Sequence, residues 1–170
     1  MQTNALNLPD GLGIRPARDG DKPFIEALFK STRDDLRMID AENDFIETLI
    51  EQQHHAQTVG YGEQFPNAMY FIIEKQNERI GRIVIDFGPN EIRIVDVAFI
   101  PQARNRGYGA GVIRALKHAA GSAGAPLVLT VNRINSAART LYYKEGFRVE
   151  QCNEMTELMA WYPSTPSRSF

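Results

Sequence analysis

The chain has 170 residues, a net charge of −2 and a pI of about 5.9. That length suits one domain, 1–170, with a sizeable core, and an overall acidic balance excludes the broad basic surface of a nucleic-acid binder. No apolar run reaches membrane-spanning length, the segment Met1 to Asp10 is polar, and Cys152 stands alone, so the expectation is a cytoplasmic protein with no membrane partner and no internal disulfide.

Turn formers crowd residues 1–11 and 163–170, so the core is expected over about 13–162 with flexible ends. A short strand is predicted at Gly13 to Pro16, followed by a helix from Asp21 to Lys30. Between Ser31 and Pro66 eight acids (Asp34, Asp35, Asp40, Glu42, Asp44, Glu47, Glu51, Glu63) face only Arg33 and Arg37, a balance of −6. A second helix, Ala41 to Gln57, carries His54 and His55. Adjacent helix positions point about 100° apart and no further ligand pair accompanies them, which predicts exposed helix residues rather than metal ligands. Thr58 to Gly62, with two glycines, reads as a movable lid. Strands are predicted at Ala68 to Glu74, Arg79 to Phe87 and Glu91 to Ile100. Turns near Gln76-Asn77 and at Gly88-Pro89-Asn90 make these three an antiparallel meander. Tyr61, Phe65, Tyr70 and Phe71 either wall an acceptor pocket or are simply buried by the meander. Beyond lie a helix from Tyr108 to Ala120, a strand from Pro126 to Val131, a helix from Ser136 to Lys144, and strands from Phe147 to Gln151 and Thr156 to Trp161. Strands mixed with helices in this order give an α+β or α/β sheet covered on both faces.

The most informative stretch is Arg104-Asn105-Arg106-Gly107-Tyr108-Gly109-Ala110-Gly111. Pro101 stops the apolar strand before it, and the helical period Val112, Ile113, Leu116, Ala120 begins after it. The loop therefore ends at a helix N-terminus, where first-turn N–H groups lack intrahelical acceptors and glycines let an anion approach the backbone. Charge agrees: from Val97 to Lys144 there is no Asp or Glu but seven cations, +7 in a chain that totals −2. This is a local field for a polyanionic small ligand. A Rossmann fingerprint is excluded because Val112 stands where its third glycine belongs, and a P-loop is excluded because no Gly-Lys-Ser/Thr follows.

These residues resemble the GNAT family of N-acetyltransferases. Arg104, Gly107 and Gly109 match its R/Q-x-x-G-x-G/A corner, and Asn135, Ala138, Leu141, Tyr142, Gly146 and Phe147 match N-x-x-A-x-x-L-Y-x-x-x-G-F. Ile14-Arg15-Pro16-Ala17 matches its opening strand, so the likeness runs from about Gly13 to Tyr162. It implies the acyl-CoA N-acyltransferase fold: a three-layer sandwich whose mixed, mostly antiparallel sheet splays at its central strands. It also implies acetyl-CoA as acyl donor and a small-molecule or peptide amine as acceptor. The binding residues carried over are Val97, Ala98 and Phe99 for the pantetheine arm, Arg104, Asn105, Arg106, Gly107, Tyr108, Gly109 and Ala110 for the diphosphate, and Asn135 and Tyr142 from the second motif.

Tyr142 is also the candidate general acid, because Asn135 caps its helix, Gly146 can end it with φ > 0, and the phenol falls on the Ala138 face. The base stays open among Asp96, Glu91 and a water chain. Thr130 occupies the place of the glutamate used by some family members, and strand alternation puts Asp96 opposite Glu91, Arg93, Val95 and Val97, where the alternative role is a buried structural acid. The acidic 31–66 stretch favours a primary amine acceptor. A CoA-binding sensor or partner module, or a transferase of a longer acyl group, are the alternatives, and exposed edge strands near the carboxyl end raise the expectation of a homodimer.

Overall fold

A computed structural model describes residues 8, 9 and 11–164. Most of the two segments expected to be flexible, 1–7, 10 and 165–170, lies outside the described residues.

Seven strands form one sheet in the order β1-β2-β3-β4-β5-β7-β6: β1 Leu12–Pro16, β2 Met69–Lys75, β3 Glu78–Phe87, β4 Ile92–Phe99, β5 Leu127–Asn132, β6 Arg148–Cys152 and β7 Thr156–Trp161. The helices are α1 Lys22–Ser31, α2 Asn43–Gln64, α3 Tyr108–Ala123 and α4 Ser136–Lys144. Each predicted strand and helix has its counterpart within a few residues, apart from the carboxyl end of α2. Three short 3₁₀ turns, Asp19–Asp21, Asp34–Met38 and Pro101–Ala103, have too few residues to leave a periodic signal.

The expected meander is present: β2 pairs β3 and β3 pairs β4, both antiparallel. The one parallel pair, β4 with β5, is joined through α3, as a crossover requires. One face of the sheet packs on α3 and α4. Ile73, Ile83, Ile85, Ile94, Val112, Ile113, Leu116, Ala120, Leu129 and Phe147 form the main core there, and Glu145 at the end of α4 ties back to Arg114 and Lys117 of α3 at 3.1 and 3.4 Å. The periodic apolar residues of α3 are the ones that are buried, as amphipathicity demands. The opposite face meets α1 and α2, where Phe29, Ile46 and Ile50 form a second, smaller cluster.

The predicted lid is not a loop. Residues 58–62 continue α2, whose backbone bonding runs on to Phe65 N–H on the Tyr61 carbonyl at 2.8 Å. Each helical glycine costs about 1 kcal/mol relative to alanine. Burial of Ile46 and Ile50 offsets that cost for the helix as a whole.

Where strand 1 meets the first helix, Asp21 is buried to 3% exposure. Its carboxylate takes two bonds from the Arg15 guanidinium at 2.7 and 2.9 Å, one from the Arg18 main-chain N–H at 2.8 Å and one from Arg79 at 3.2 Å. Those donors, led by Arg15, hold its pKa far below the usual carboxylate range.

Candidate active site

The site begins with a failure of pairing. β4 is bonded to β5 only over Ile92, Ile94 and the residue between them, opposite Leu127 to Leu129. From Val95 to Phe99 the β5-facing edge of β4 has no strand beside it, so apart from the Phe99 carbonyl, which accepts from Arg104, its outward main-chain groups are open to an extended ligand. The register with β3 explains the divergence: Val84 pairs Asp96 while its neighbour Ile85 pairs Ile94, leaving Val95 as a bulge. A bulge bends and twists its strand. Here it turns β4 away from β5 and opens the sheet.

The bulge also corrects the predicted orientation of Asp96. Continuous alternation would put Asp96 opposite Arg93. With one extra residue inserted, Asp96 shares the α1/α2 face with Ala98, Val84, Arg82 and Tyr70 by register. Arg93 is on that face too, its guanidinium 5.8 Å from the Phe65 ring at the end of α2. Val97 and Phe99 lie on the other face against the main core. Glu91 precedes the strand and pairs with Arg93 at 3.2 Å.

The free edge leads directly to the glycine corner. Pro101–Ala103 turns the chain, Asn105 and Gly107 adopt left-handed φ of 60° and 82°, and α3 begins at Tyr108 with Gly107 as N-cap. Within the helix the first closing bond is Gly111 N–H to the Gly107 carbonyl at 3.1 Å, so the N–H groups of Tyr108, Gly109 and Ala110 have no intrahelical acceptor. A Cβ on Gly109 would stand 3.4 Å from Leu141 and 3.7 Å from Phe99, which places that N-terminus between α4 and the end of β4. The two arginines of the corner also have partners within the protein. Arg104 donates to the Phe99 carbonyl at 3.0 Å and to Ser31 Oγ at 3.2 Å, and Arg106 donates to the Gln102 carbonyl at 2.8 Å. Their guanidinium groups brace the loop while adding positive charge beside it. Tyr108 turns its ring to Lys75, whose ammonium donates to the phenol oxygen at 2.8 Å.

Across the opening stands α4. Asn135 Oδ1 accepts the Ala138 N–H at 3.2 Å as N-cap, and Gly146 ends the element with φ 92°. Tyr142 is 7% exposed, its ring 5.6 Å from Phe147. Burial first, and then the negative charge of Asp96, push its pKa up to about 12.

On the α1/α2 face, the buried Arg82 donates to Asp96 at 2.6 Å and to Gln57 of α2 at 3.2 Å. Asp96 is therefore a hydrogen-bonded, part-buried acid. Tyr61, half-buried in α2, has its pKa raised to about 12 by burial and by the same carboxylate. Of the aromatic group, Tyr70 lines a cavity, Phe71 packs on the main core and Phe65 lies under Arg93. Of the eight acids in 31–66, Glu51 lines the larger hollow on this face; Glu47 is taken up by Lys30 and Arg37 at 3.5 and 2.8 Å. His54 also departs from expectation: it is half-buried, stacked 4.9 Å from Phe29, and lowered in pKa by burial above all.

An acetyltransferase (GNAT) family model matches residues 26–147, more than two thirds of the sequence. The chain belongs to the GNAT acetyltransferase family. Members of this family are enzymes that use acetyl-CoA as acyl donor. A search of curated proteins returned no match. Among solved structures, the fold is shared with the PaiA N-acetyltransferase from Thermoplasma acidophilum in complex with coenzyme A (17% identity, 89% of this chain and 98% of that one, TM-score 0.66). It is shared too with an acetyltransferase of Salmonella typhimurium that modifies the N-terminal serine of ribosomal protein L7/L12 (14%, 94% and 99%, 0.67). A third is the ribosomal-protein-S18-alanine N-acetyltransferase of Escherichia coli (15%, 94% and 99%, 0.62). Among the described residues no helix is long and apolar enough to cross a membrane and no cluster of metal-binding side chains occurs.

Proposed function

We propose that the chain is an N-acetyltransferase that carries the acetyl group of acetyl-CoA to a primary amine by direct attack within a ternary complex. The observation that carries this reading is the continuity of free main chain, from the unpaired edge of Val97, Ala98 and Phe99 to the open first turn of α3. An extended amide-bearing arm fits the first, beside the Phe99 carbonyl that already accepts from Arg104, and a diphosphate fits the second. The N–H groups of Tyr108, Gly109 and Ala110 meet phosphate oxygens, with Asn105 and Gly107 setting the left-handed bends and Arg104 and Arg106 contributing field. Asn135 holds α4 so that Tyr142 stands at the split.

On this reading the amine nitrogen attacks the thioester carbonyl carbon while a β4 main-chain N–H donates to the carbonyl oxygen as its charge grows. The C–S bond breaks, the thiolate takes the Tyr142 proton, and the phenolate regains one through solvent from the proton that the attacking nitrogen loses as the amide forms. That transfer is uphill from a phenol near pKa 12, which favours a concerted step in which the proton moves as the sulfur departs. The amine sheds its own proton to water beside Asp96, which already accepts from Arg82 and serves as the nearest negative charge for an incoming ammonium. The amine class is supported by the solved neighbours that acetylate protein amino termini. A cytoplasmic setting suits the free, exposed Cys152. A homodimer would add its second copy at β6, the exposed edge; velocity sedimentation tests it.

The experiment is release of free thiol from acetyl-CoA with a panel of amines, with mass analysis of the product. The reading expects thiol and an acetylated amine in equal amounts. Binding without thiol would make the chain a CoA sensor, and turnover only with a longer acyl donor would make it a different acyltransferase.

A further inference from the structure

Two hollows lie in series on the α1/α2 face. The smaller, about 160 Å³, touches Asp96, Val97 and Ala98 and so adjoins the unpaired edge of β4. The larger, about 640 Å³, runs between α1, α2 and the sheet. Ile25, Phe29 and Arg82 line both, so the two are neighbours, and a body held in the larger lies beside the one that adjoins β4.

Resting on the acetyl-transfer reading, we infer that the acceptor is a small primary monoamine with an apolar, ring-sized body and a hydroxyl remote from the amine, the hydroxyl bonding the His54 imidazole. Three observations carry this. First, the larger hollow falls within the range of small-molecule sites, and a cavity of about 150 Å³ already holds benzene, so a ring and its linker fit. Its floor is Ile25, Phe29, Ile50 and Tyr70. Second, its charges balance. Lys22 and Lys30 oppose Glu26 and Glu51, while Arg82 is matched by Asp96. A polyamine would bring one or more further cations into a lining with no surplus of carboxylates to receive them. Third, His54 Nε2 is the buried side-chain polar atom left without a hydrogen-bond partner among the described residues. An unmade bond of that kind is costly to a fold and marks a place where a partner belongs. The neutral imidazole has one donor and one acceptor nitrogen, and a hydroxyl complements either. Nε2 has no open surface in this rotamer, so the ring must turn about its Cβ–Cγ bond, in the plane stacked on Phe29, for a hydroxyl in the hollow to reach a nitrogen.

The test compares tyramine, phenethylamine, spermidine and a short peptide with a free amino terminus in the thiol-release assay, for the wild type and for His54→Leu and His54→Gln. Melting temperatures and CoA calorimetry identify folded, donor-competent protein. The expected result is tyramine ahead of phenethylamine by about tenfold in kcat/KM, the increment of one good hydrogen bond, and both ahead of spermidine and the peptide. His54→Leu should erase the tyramine advantage while sparing phenethylamine turnover, and His54→Gln should restore part of it. Preference for spermidine or the peptide, or a tyramine advantage that survives in folded His54→Leu, overturns the acceptor class and leaves acetyl transfer standing. Calorimetric CoA binding with no thiol from any of the four overturns the transfer reading and this inference together.

Discussion

The β4 edge, the glycine corner, α3 and α4 form one half of the proposed site; α1, α2 and the face of the sheet beneath them form the other. The first is built from main chain held by local rules, the second from side chains brought together over long separations. An acyl donor of fixed structure can be met by backbone geometry, whereas an acceptor particular to this chain must be met by side chains. The two halves should therefore respond differently to substitution.

The largest effect is expected where the halves meet. Tyr142→Phe should lower kcat by about a hundredfold or more, the usual worth of a positioned general acid, while CoA affinity by calorimetry stays within twofold. An unchanged kcat would remove the acid role and leave only packing against Phe147. Because burial and Asp96 raise this phenol to about 12, its ionisation should impose no basic limb on the rate profile below pH 10. The linkage has the matching sign: its contribution to stability is complete below pH 10 and is lost as pH rises towards 12.

Next comes Asp21→Asn, which strips a buried carboxylate from Arg15 and Arg79 and should cost about 3 kcal/mol in denaturant unfolding. Donor affinity of the folded fraction should not change, since Asp21 is remote in register from the β4 edge. In the wild type the depressed pKa gives stability that is full above the ordinary value of 3.8 and declines as pH falls below it. The variant should lose that acid dependence.

Gly109→Val separates the halves most cleanly. Branched carbons at the first turn of α3 crowd Leu141 and Phe99 and cover the free N–H groups, so CoA should bind about a hundredfold more weakly, about 2.7 kcal/mol. An equal loss with a simple amine alone, measured as KM for the acceptor, would contradict the division. The smallest effect belongs to Glu47→Gln: an exposed pairing on α2 should change stability by less than about 0.5 kcal/mol and turnover by nothing measurable.

The same division explains what was readable beforehand. Gly107, Gly146, Asn135 and Pro101 announce left-handed φ, a helix cap and a strand stop within a few residues, so their local signals matched the final conformation. The periodic face of α3 was legible for the same reason. On the other half, Gly60 and Gly62 suggested a loop, yet tertiary burial of earlier turns carried α2 through them. Asp96 was assigned the wrong face relative to Arg93 because nothing in the run Ile94-Val95-Asp96 marks an inserted residue; the bulge comes from the register with Val84 and Ile85. His54 lies 25 residues from Phe29 and 28 from Arg82 in sequence, and its burial is a property of that assembly alone. Asp21 pointed to a helix start, whereas Arg79, 58 residues away, reveals it as the anchor of the first strand.

In the proposed reaction the open main chain of β4 and α3 receives coenzyme A. Titration calorimetry of acetyl-CoA into the folded protein, with Gly109→Val beside it, tests that most directly. One site per chain with affinity in the micromolar range or better, lost in the variant, is the predicted result; no heat from well-folded wild type, or equal heat from both proteins, would contradict it.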